Sequence, residues 1–154
     1  MSHATVHERP AVGARRAGYT IAVLVNAAML YAVNAWPGWQ AVPFLTADTA
    51  TVIPAVNASI LVSLVVNAVY VVHDPAWLRA LGDLMTSAVG VVALVRLWQV
   101  FPFDYGDATF DWELVTRWVV GVGIAGSAIA IVVALVSLVR ALADVAAGPA
   151  PRAL

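Results

Sequence analysis

The feature that most constrains this chain is a set of four apolar runs, each long enough to cross a bilayer as a helix. A hydrocarbon core about 30 Å thick takes about 20 apolar residues in helical form. The segments at about 17–36, 52–72, 75–100 and 111–141 meet that length. In lipid a lone segment can satisfy its backbone polar groups only as a helix. The expected fold is therefore all-α: an integral membrane four-helix bundle of two antiparallel hairpins. Tails over 1–16 and 144–154 flank a transmembrane domain at 17–143. Composition removes the soluble alternative, because 62% of residues are hydrophobic, 11% are charged and the mean hydropathy is +0.89. Such a chain has too little polar surface to cover itself in water.

Local signals place the helix ends. Pro37-Gly38 stops the first span. Thr46 or Asp48 can cap the second, and Pro54 falls in its first turns, where a missing N–H costs least. Asp74-Pro75 reads as an N-cap followed by proline at the first helical position of the third span. The fourth runs uninterrupted by charge between Arg117 and Arg140. A cleaved signal peptide is the alternative for the first span, but its apolar run exceeds an ordinary signal core. Asn57-Ala58-Ser59 matches a glycosylation sequon inside a span, where it carries no meaning.

Arginine placement predicts orientation. Arg9, Arg15, Arg16, Arg79, Arg140 and Arg152 fall on one side of this layout, whereas the loops near 37–51 and 101–111 have none. The expectation is a multi-pass plasma-membrane protein with both termini in the cytoplasm. Trp36, Trp39, Trp98, Trp112 and Trp118 would mark the outer interface and Trp77 the inner one.

Several chemistries are missing. With no cysteine there is no thiolate, disulfide or cysteine-ligated metal. His3 and His7 are in the tail and His73 is at a span edge, so no histidine pair inside a span can hold haem. Met29 and Met85 lie inside spans and read as core filler. No hydrolase elbow, metalloprotease helix, P-loop, arginine ladder or potassium filter is present. A formal net charge of −1 gives no field for nucleic acid. Neither an enzyme nor a cofactor is expected.

Polar residues within the spans carry the functional expectations. The second and third spans are joined so tightly that they form an antiparallel hairpin, with residues at equal depth summing to about 150. That register sets Tyr70 beside Arg79, Asn67 beside Asp83 and Ser63 beside Ser87, a polar seam with Asn26 slightly deeper. Asp83 stands about 10 Å along its helix. An ionisable residue at this depth marks a proton or cation site; the alternative is a clamp in which Asp83 pairs with Arg79 and Asn67 joins the helices. A second, outer cluster comprises Asp48, Arg96, Asp104, Asp107, Asp111, Glu113 and Arg117. It reads as a vestibule or hard-cation site, or as helix caps and an i,i+4 pair. Gly123, Ser127, Ala130, Ala134 and Ser137 form a small-residue stripe of period 3.5. The stripe suits close packing, within one chain or between copies.

Two functions follow. One is an oligomeric channel or transporter for protons or small cations along the seam at Asp83. The other is a non-catalytic accessory or scaffold subunit of a larger membrane complex. Lipid, further copies of the chain or other membrane proteins are the expected partners.

Overall fold

The computed structural model describes residues 12–148. His3, His7, Arg9 and Arg152 lie outside the described residues. The chain forms α1 (Val12–Asn34), a single 3₁₀ turn (Trp39–Ala41), α2 (Thr49–Val72), α3 (Ala76–Val100) and α4 (Trp112–Ala147). All four helices are long and apolar enough to span a membrane, and no strand occurs among the described residues. The helix at α4 is longer than the sequence signals imply. Its 36 residues reach about 54 Å at about 1.5 Å per residue, so it outruns the hydrocarbon and takes in Asp144, expected in the tail.

Two helix starts differ from expectation. Asp48 precedes α2 but its side chain makes no cap bond, and the Thr46 and Thr49 hydroxyls are buried without partners among the described residues. Asp74 does not cap α3 either, since Pro75 occupies the cap position without a side-chain bond. Its carboxylate instead accepts from Arg15 Nε at 3.2 Å and faces Arg79 Nη1 at 3.7 Å. An ion pair drew the carboxylate away from a neutral N–H because charge-assisted bonds are the stronger ones. Asp111 does cap α4, accepting from the Leu114 N–H at 2.9 Å.

Each helix packs on its sequence neighbour, and no other pair of long helices packs extensively. The expectation of four antiparallel helices holds in number and class. Contact between α1 and α4 is at most slight. α1 packs along α2 but has no buried residue, and polar and aromatic contacts tie it near both ends. At one end Arg15 reaches Asp74 and the Tyr19 ring lies 5.2 Å from that of Tyr70. At the other end Asn34 and Asn57 exchange amide hydrogen bonds of 2.9 and 2.7 Å.

The two long loops meet in an aromatic cap. The Thr46 N–H donates to the Pro102 carbonyl and the Asp104 N–H to the Phe44 carbonyl, at 3.0 and 2.9 Å. Phe44, Phe103 and Tyr105 stack above this join, and the Tyr105 and Thr116 hydroxyls bond at 2.6 Å. Beneath it Val52 and Pro102 are fully buried. Phe101 ends α3 in the left-handed conformation at φ 45°, where its ring receives the Arg117 guanidinium at 4.0 Å. That stacking helps hold a backbone angle that side chains rarely adopt.

Candidate functional site

The most polar space within the helical layer is a cleft of about 430 Å³ in the half opposite the aromatic cap. All four helices line it: α1 gives Tyr19, α2 gives Asn67 and Tyr70, α3 gives Asp83, Thr86 and Ser87, and α4 gives Ala130, Val133, Ala134 and Ser137. Since α1 and α4 both line the cleft yet do not pack together, it opens between them.

Asp83 stands exposed in this cleft. Its Oδ1 lies 3.3 Å from the Tyr70 hydroxyl, whose shorter bond, at 2.7 Å, runs to the Arg79 carbonyl. The hydroxyl has one proton, so it serves Arg79 first and Asp83 second. Tyr70 is otherwise buried, with its ring tip against Gly82, where any Cβ would run into the hydroxyl. Only glycine permits this approach of α2 to α3.

The clamp between Asp83 and Arg79 does not form. Arg79 turns to Asp74, at the mouth of the hairpin, and no arginine or histidine among the described residues lies within 4.0 Å of Asp83. A long arginine near a helix start extends toward the polar boundary, and Asp74 already sits there. Asn67 reaches the cleft as the register implies, but its amide donates along its own helix, to the Ser63 carbonyl at 2.8 Å and the Ser63 hydroxyl at 3.4 Å. Ser87 lines the cleft; Ser63 does not, being engaged by Asn67. Asn26 is not part of this site, and its amide donates to the Ala22 carbonyl at 2.8 Å. Thr86 also lines it, though its hydroxyl is bound to the Gly82 carbonyl at 2.8 Å.

The outer cluster does not assemble into one site. Asp104 accepts from the Gly106 N–H at 2.9 Å, Asp111 caps α4, and Glu113 receives two bonds from Arg117 at 3.1 and 3.0 Å. Asp48, Arg96 and Asp107 are exposed and make no side-chain bond or ion pair among the described residues. No group of three metal-ligating side chains occurs among the described residues.

The small-residue stripe of α4 meets α3 and the cleft, with Ala134 buried and Ala130 and Ser137 left exposed. Gly123 lies against Leu94 of α3, where a Cβ would sit 3.2 Å from its methyl. Ala134 is buried, and Ala130, Ala134 and Ser137 form one wall of the cleft. Ser127, half-buried, continues the same face. The sequence reading missed Tyr19 and Gly82, and also the Asn34–Asn57 pair. The signal available for Tyr19 was its place one turn from Arg15, at the same end of the layer as Tyr70. No known family model, curated protein or solved structure compared with the chain matches it.

Proposed function

We propose that this protein is a membrane transporter for protons or small cations, with Asp83 as the binding group. The observation that carries the reading is a carboxylate at membrane depth, free of any arginine partner among the described residues, facing a cleft. Burying a lone carboxylate in hydrocarbon is costly, so its retention in a wall open to water or ligand points to cation handling. Toward the aromatic cap the chain buries Ile60, Ala93, Val52, Pro102 and Val120. A site reached from one side only is what alternating access requires of a single conformation. A channel would need a continuous path, so a carrier is favoured.

Flux in proteoliposomes tests this. With proton and potassium gradients imposed in turn, the wild-type protein is expected to move one of these ions and Asp83→Asn to lose most of that flux. Absence of flux from well-folded protein under either gradient would overturn the proposal.

A second reading, an accessory subunit, draws on the unclosed side between α1 and α4, which leaves room for a partner helix. The exposed part of the α4 stripe, Ala130 and Ser137, borders the same side.

A further inference from the structure

Resting on the transport reading, we infer that the cleft takes, besides the proton or small cation read at Asp83, a lipophilic organic monocation: an amine, quaternary ammonium or phosphonium ion. Three observations lead there. The first is size: about 430 Å³ lies within the roughly 300–1,000 Å³ of small-molecule pockets. A dehydrated metal ion needs a shell of oxygens at about 2.0–2.6 Å, and no group of three metal-ligating side chains exists among the described residues. A proton needs no cavity at all.

The second is chemistry. The lining carries a single charge, Asp83, and the α4 side is mostly apolar, with Ala130, Val133 and Ala134 beside Ser137. Tyr19 and Tyr70 also line the cleft, their rings 5.2 Å apart at 59°. A carboxylate beside aromatic rings attracts a positive charge through both ion pairing and the ring quadrupoles. Neither requires an ammonium to shed a tight hydration shell when its substituents are apolar. The Tyr70 hydroxyl is committed to the Arg79 carbonyl and, more weakly, to Asp83, and Tyr70 is buried, so the half-buried Tyr19 is the ring that can meet a cation.

The third is access. The cleft opens between α1 and α4, about 10 Å along α3 from its first turn, and so at the depth of hydrocarbon rather than of bulk water. A ligand that partitions into lipid reaches this opening sideways; a strongly hydrated ion does not. The occupant must therefore combine one positive charge with apolar surface.

Equilibrium binding of radiolabelled tetraphenylphosphonium to the full chain in detergent tests the assignment. Saturable binding is expected in wild type and in Asp107→Asn, which removes an exposed carboxylate far from the cleft. Asp83→Asn should weaken it at least about tenfold, through loss of the opposite charge. Tyr19→Phe should retain binding, whereas Tyr19→Leu should weaken it about threefold or more, the range of a partly desolvated cation–π contact. Equal affinity in wild type and folded Asp83→Asn, or no saturable binding in folded wild type, overturns the organic-cation assignment. Asp83-dependent proton or potassium flux without tetraphenylphosphonium binding overturns it while leaving the transport reading intact. Loss of both removes the transport reading as well.

Discussion

At Gly82 a missing side chain decides where a phenol can sit. The Tyr70 hydroxyl occupies the space a Cβ would fill, and from there it bonds the Arg79 carbonyl and touches Asp83. A methyl group at residue 82 therefore either separates α2 from α3 or drives the ring aside, also meeting Val66. Overpacking of this kind costs about 1–3 kcal/mol. Gly82→Ala should lower the melting temperature in detergent, and adding Tyr70→Phe should return part of the loss because the colliding oxygen is gone. An unchanged melting temperature for Gly82→Ala would show that the contact is not tight. Part of this neighbourhood was legible beforehand: a hairpin joined only through His73, Asp74 and Pro75 has a fixed depth register, which sets Tyr70 beside Arg79. The partner of each side chain was not legible. Register places two residues at one height, but the choice between Arg79 and Tyr70 as neighbour to Asp83 depends on rotation about each axis. It depends also on the rival carboxylate of Asp74, which took the arginine.

Among the helices, α1 is the one least committed to the rest. It buries no residue, packs only on α2, and is tied near its ends by Arg15 to Asp74 and by Asn34 to Asn57. Lipid is as apolar as leucine, so apolar contact gives a membrane helix little reason to stay, and interhelical hydrogen bonds weigh more. The reciprocal amide pair should show a coupling of about 0.5–2 kcal/mol in a double-mutant cycle of Asn34→Ala and Asn57→Ala. The cycle is read from unfolding in mixed detergent; simple additivity of the two substitutions would mean that the pair does not hold α1. The four helices were readable from apolar length alone, because lipid leaves the backbone no alternative. Their packing order was not. The connection between α1 and α2 is long enough to leave their register free, so nothing in the sequence aligned Asn34 with Asn57. The stripe on α4 announced close packing but did not say that its partners would be α3 and a cleft. The open side between α1 and α4 had no sequence signature either, since both faces are apolar whether they meet a helix or lipid.

For the whole molecule, function depends on which membrane face the cleft serves, and the charge asymmetry makes a definite prediction. Arg15, Arg16, Arg79 and Arg140 lie toward the end where α1 and α3 begin and α2 and α4 finish, while the loops at the opposite end carry no arginine. Basic residues flanking spans stay on the cytoplasmic side, which would put the mouth of the Asp83 cleft in the inner half of the bilayer. The native chain lacks cysteine, so single cysteines report their side without background. Asp107→Cys, in the exposed loop between α3 and α4, should react with a membrane-impermeant maleimide on intact cells. Asp144→Cys, one turn beyond Arg140 where α4 has outrun the hydrocarbon, should react only after permeabilisation. The reverse pattern would turn the molecule over. The cleft would then take its cation from the outer leaflet, and the aromatic cap would seal the cytoplasmic end. The same residues would then describe uptake rather than export from the inner half.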